Sequence, residues 1–126
     1  MKNTRVLLSV IELGGYPDFS SIYRRCGFTV ETVTSVRNAT RLLKKITPQV
    51  VVAEFNYQSD FRDRTSSLET LMAVLQRLPD TRVIIFYEAE YAHQFEKVSS
   101  RFPVHKALDF PVDEAALEAA LRAIPA

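Results

Sequence analysis

The chain has 126 residues, 47% of them hydrophobic and 25% charged, with a formal net charge of +1. Those values describe one ordinary globular domain that needs neither metal nor disulfide to build a core, and they offer no charge excess to attract a polyanion. No apolar stretch is long enough to span a membrane or to serve as a signal peptide, and the single cysteine, Cys26, excludes an internal disulfide, so a reducing cytoplasm is the simplest setting.

Arg5–Ile11 is apolar and β-rich and reads as a first strand. Pro17 or Asp18 is suited to open a helix in which Phe19, Ile22, Tyr23 and Cys26 share one face, with Gly27 as the residue that ends it. This spacing makes Cys26 a core residue rather than a nucleophile. Thr29–Val33 alternates and is β-branched, which marks a more exposed second strand. Val36, Ala39, Leu42, Leu43 and Ile46 define a second helix whose outer face carries Arg37, Arg41, Lys44 and Lys45. That basic face has no interleaved aromatics and no helix-turn-helix partner, so it reads as solvated surface rather than a nucleic-acid stripe.

Val50–Phe55 is a continuous apolar run that delivers one carboxylate, Glu54, near its end. Such a run suits a central parallel strand covered on both faces, and ligands in open α/β sheets sit beyond the strands' carboxyl ends. The polar loop 56–66 carries Arg62 and Arg64 and leads to a third helix with Leu68, Leu71, Met72, Leu75 and Leu78 on one side, opened by a capping-box pattern, Ser66-x-x-Glu69. Arg82–Tyr87 is a fourth strand. Tyr91, Phe95 and Val98 suggest a fourth helix, Val104–Leu108 a short fifth strand, and Leu117, Ala120, Leu121 and Ile124 a last helix with Asp113 as N-cap. The resulting (βα)₅ order implies an α/β, doubly wound, five-stranded parallel sheet in a single domain spanning 1–126.

This order and spacing resembles the receiver domain of two-component response regulators, whose flavodoxin-like sheet runs 2-1-3-4-5. The resemblance rests on Val6-Leu7-Leu8, Gly27-Phe28-Thr29-Val30, Ala39 with Leu42-Leu43, Pro48 through Glu54, and Phe110-Pro111. It implies a domain that stands alone or opens a longer regulator. It also implies a degenerate site. Where receivers carry an acidic pair for Mg²⁺ the chain has Val10 and Ile11, with Glu12 beyond. Glu54 stands at the phosphoacceptor aspartate, Tyr87 or, one residue on, Glu88 at the hydroxyl position, and Phe110 at the lysine. Lys106 replaces that lysine only with a shift of register.

Glu54 is then either a solvated, vestigial carboxylate or a fixed negative charge carried further out than aspartate's, which partly imitates a phosphorylated state. Arg62 and Arg64 have three readings: partners of Glu54, ligands for an exogenous anion, or plain surface. Glu12, Glu54 and Glu88 could converge on one edge, but carboxylates without a supporting loop give no metal site, and His93 and His105 fit no ligand spacing. No cofactor is implied, and Gly14-Gly15 lacks a dinucleotide fingerprint.

The leading expectation is therefore a non-enzymatic pseudo-receiver that binds a protein partner or a second copy. The face for this is the one built from helix four, strand five and helix five, supplied with Tyr87, Tyr91, Phe95, Phe102 and Phe110. Exposure of at least three of these aromatics would favour that reading. An atypical but phosphorylatable receiver is the alternative, and a small-anion or ligand sensor at the strand ends is a third.

Overall fold

The computed structural model describes residues 5–11, 17–55 and 67–124. Five strands, β1 (Val6–Val10), β2 (Thr29–Val33), β3 (Val50–Glu54), β4 (Arg82–Tyr87) and β5 (Lys106–Asp109), alternate with helices α1 (Ser20–Arg25), α2 (Val36–Leu42), α3 (Ser67–Leu75), α4 (Ala92–Ser99) and α5 (Glu114–Arg122). A 3₁₀ turn, Ala89–Tyr91, leads into α4. All strand pairs are parallel and the order is β2-β1-β3-β4-β5, as the βα alternation predicts.

Because successive strand residues point to opposite faces, the sheet builds two cores. Leu8, Val10, Val51, Ala53, Val83 and Ile85 pack with α2, α3 and α4, while Leu7, Val50, Val52, Ile84, Phe86 and Leu108 pack with α1 and α5. Every residue of β3 is buried, as a central strand demands, whereas β2 at the sheet edge is largely exposed. Burying each of the fully enclosed leucines and isoleucines, such as Leu7, Leu8 and Ile84, contributes about 1.5–3 kcal/mol. Cys26 is buried in the α1 side of this core.

The helix ends follow from particular residues. Gly27 takes φ 95° after α1, and its N–H reaches Arg24 O at 2.9 Å while Phe28 N–H reaches Tyr23 O at 3.1 Å, a Schellman closure open mainly to glycine. Ser35 Oγ accepts from Asn38 N at 3.0 Å and Asp113 Oδ1 from Ala115 N at 3.2 Å, capping α2 and α5.

Several boundaries differ from expectation: β1 and β3 stop at Val10 and Glu54, and Ile46, Leu78 and Ile124 lie beyond the ends of α2, α3 and α5. The N-cap residue of α1 is Phe19, and Asp18 acts beside it, accepting from Ser20 N and Oγ at 2.9 and 2.6 Å. Strand β5 starts at Lys106 rather than Val104 and runs to Asp109, because only those four residues pair with Ile84–Tyr87 of β4. Tyr91 belongs to the 3₁₀ turn and not to α4. Ser66 of the expected capping box lies outside the described residues, and Glu69 makes an ion pair with Arg101 just beyond α4.

Candidate functional site

Glu54 closes β3 opposite Phe86 of β4. The pleat turns it toward α1 and α5, as it does Val52 and Val50 two and four residues before. The side chain is only 6% exposed. This corrects the solvated reading, since the packing of α1 against the sheet covers the strand end.

The carboxylate lines a cavity of about 300 Å³ between the ends of β1 and β3 and the start of α1. Its walls are mostly apolar, from Val10, Val52, Ala53, Phe19 and Phe86, with Ser9, Thr32, Tyr23 and Asp18 supplying polar atoms. Phe19 meets Phe86 edge-on at 5.6 Å, which fixes one wall. Two groups have a defined protonation state. Hydrogen bonds from the Ser20 hydroxyl and then its N–H hold Asp18 below the usual carboxylate range. Burial, reinforced by the Asp18 charge, pushes the Tyr23 phenol up, so it stays protonated across the physiological range.

The remaining expected site residues divide between the two faces. Val10 is buried and pairs with Ala53, and Ile11, 37% exposed, donates its N–H to Val33 O at 2.9 Å. Tyr87 is the last residue of β4. Its ring stacks on Phe95 at 4.7 Å and 15°, on the face away from Glu54. Glu88 follows it and is exposed. Lys106 pairs with Ile84, two residues short of the Glu54 level, a gap of about 6–7 Å along the strand. Phe110 is 44% exposed, donates its N–H to Tyr87 O at 2.8 Å, and is joined to Pro111 by a cis peptide. Glu12, Arg62 and Arg64 lie outside the described residues.

The aromatic face is thinner than its sequence suggests. Phe95 is 6% exposed and packs between Phe55 and Tyr87, so it belongs to the core; Tyr87, Tyr91 and Phe102 are half-buried, leaving Phe110 as the one exposed member. The physical reason is that α4 follows the sheet closely enough for its i, i+3 apolar positions, Phe95 and Val98, to fill the interior. Among the described residues, no three His, Cys, Asp or Glu side chains gather as a metal site.

Sequence reasoning named Val10 and Ile11 of the cavity walls and missed the others. Ser9 was their readable signal, a polar residue on the buried face of an otherwise apolar strand. Asp18, Phe19 and Tyr23 carried no such mark, since their approach to Glu54 depends on how α1 crosses the sheet.

No family model and no curated protein sequence matches the chain. Solved structures do. It resembles a response regulator receiver domain from Clostridium thermocellum, 17% identical, with a TM-score of 0.70 over 92% of this chain and 90% of that one. It also resembles the signal receiver domain of a modulated diguanylate cyclase from Desulfovibrio desulfuricans G20, 14% identical, with a TM-score of 0.74 over 97% and 94%. The chemotaxis protein CheY4 of Vibrio cholerae is 17% identical, with a TM-score of 0.74 over 98% and 100%. The chain thus has the receiver fold along nearly its whole length.

Proposed function

We propose that this chain is a signalling module on a receiver fold that works without phosphorylation, in the cytoplasm, by binding a protein partner or a second copy of itself. It is read as neither an enzyme nor a nucleic-acid binder. The observation that carries this is the chemistry of the Glu54 cavity. Phosphoryl transfer is driven by positioning and charge neutralisation, through a metal and a cation beside the acceptor. Here the carboxylate is walled by Val10, Val52, Ala53 and Phe86, and the other described carboxylate, Asp18, is already engaged by Ser20. Mg²⁺ wants near-octahedral oxygen ligation, which this donor set does not fit. Lys106 stands too far down β5 to serve, and Phe110 brings no charge.

The Asp18 carboxylate, held below the usual range by Ser20, puts a negative charge at the cavity and disfavours an anion sensor there. Of the five aromatics on the α4-β5-α5 side only Phe110 is exposed, short of the three that would have favoured this face, so the surface proposed for a partner rests on Phe110.

The deciding experiment is an amide NMR titration with Mg²⁺, then Mg²⁺ with beryllofluoride, which imitates a phosphorylated acceptor. The expected result is no saturable shift at Val10, Glu54, Phe86 or Tyr87. A saturable, joint movement of those amides would mean a working phosphorylation switch and would overturn the proposal.

A further inference from the structure

We propose that a second site, at the opposite end of the sheet from Glu54, binds an amphipathic organic anion: a carboxylate carried on an apolar chain. A groove of about 690 Å³ runs between the C-terminal end of α3, the start of β4 and the segment leading into β5. That volume lies within the range of about 300–1,000 Å³ typical of small-molecule sites. Met72, Leu75 and Val83 form a buried apolar floor, and Leu78 and Val104 rise from it half-buried.

Its polar side chains are Gln76, Thr81, Arg82 and His105, and two of the four are already used. Thr81 donates its hydroxyl hydrogen to Pro48 O at 2.7 Å, and His105 turns Nε2 to the Ala120 carbonyl at 3.0 Å. Arg82 differs. It lines the groove half-buried, and among the described residues no carboxylate lies within ion-pair distance of its guanidinium and no side-chain hydrogen bond engages it. Asp80, its nearest acidic neighbour in sequence, is exposed and makes no pair with it.

A half-buried guanidinium beside an apolar floor is complementary to an anion with a hydrophobic body. Carboxylate suits it best, since the planar fork takes both oxygens at once. Ligands in open α/β sheets ordinarily sit at the other end, so this site owes nothing to the fold's usual crevice and does not depend on the function proposed above.

Decanoate below its micellar concentration is the probe, with decan-1-ol as its uncharged counterpart, followed by amide NMR. Saturable shifts are expected at Val83, Val104, His105 and Ala123. Binding should weaken about tenfold for decanol on the unaltered chain, and likewise for decanoate on Arg82→Gln, through loss of a charge-assisted hydrogen bond. Val104→Trp, which fills the groove, should abolish the shifts while the melting temperature stays within about 3 °C. Four outcomes overturn the proposal: no saturable shift; equal affinity for decanoate and decanol; shifts that centre on Glu54; or concentration-dependent broadening of the groove amides without decanoate, which would make a second copy the occupant.

Discussion

Arg5 and Glu54 are charged residues at opposite ends of neighbouring strands, and the chain uses them differently. Arg5 precedes β1, and its guanidinium reaches the carbonyl oxygens of Cys26 at 3.3 Å and Ile124 at 3.1 Å, beyond the last turns of α1 and α5, while stacking 4.3 Å over Phe28. Helix ends leave carbonyls unsatisfied, so this one side chain ties two helices to the first strand. Gln49 does similar work nearby, its Oε1 accepting from Val6 N at 2.8 Å, and Thr81 closes onto Pro48. Glu54, by contrast, is buried beside open space rather than packed shut. The N-terminal end of the sheet spends its polar groups on holding backbone together; the C-terminal end keeps a carboxylate next to a cavity.

The largest effect that tests this contrast is Arg5→Ala. Two carbonyls lose a charged donor and Phe28 loses its cation. A loss of about 2 kcal/mol is expected, below the sum of the contacts because Arg5 Nε is buried without a partner. Urea unfolding measures it. Arg5→Lys should recover less than half, since an ammonium cannot fork to both carbonyls. A cost under about 0.5 kcal/mol would mean that the N-terminal end is held by the apolar core alone.

These two residues also mark how far the sequence could be read. The bounds of β2 and β4 were legible because β-branched and apolar runs end sharply at polar or turn residues there, and β3 because four apolar positions in succession suit a strand covered on both faces. Strand β5 was not: Val104 and His105 have strand-like character, yet they line the groove before pairing is established at Lys106. The position of Glu54 followed from the end of the run, but its burial depends on Phe19 and Tyr23, more than thirty residues earlier in the chain. Arg5 looked like an ordinary charged strand flank, since nothing local announces contacts 21 and 119 residues away. Phe95 and Phe110 were indistinguishable as aromatics of one region; only the packing of α4 separates core from surface.

That separation gives the second test, at the C-terminal end. Phe110→Ser should change stability by no more than about 0.5 kcal/mol, because the ring is 44% exposed. The same substitution should weaken association with a partner, or lower the dimer fraction in light scattering, by about tenfold if Phe110 anchors the contact. A large stability loss with association unchanged would return Phe110 to the structural class and remove the centre of the proposed face.

The smallest effect concerns an exposed tie at the edge of the N-terminal end. Glu118 on α5 accepts from Arg25, beyond the middle of α1, at 2.8 Å and from Arg122, one turn on, at 2.7 Å. Hydrogen bonds from Arg25 and then Arg122 hold its carboxyl at about 2, against an ordinary 4.5. A carboxylate with a depressed folded-state pKa stabilises the fold above its unfolded value and loses that contribution as pH falls through the folded one. The pair should therefore add stability above about pH 4.5 and fade between there and about pH 2. Glu118→Gln should flatten that part of the melting-temperature profile. Because these side chains are solvent-exposed, 0.5 M salt should flatten it as well, leaving the Arg5 ties, which are partly buried, much less affected. A steep acid limb that survives both the substitution and the salt would place the titrating group elsewhere, and would make an interior carboxylate the source of the acid sensitivity.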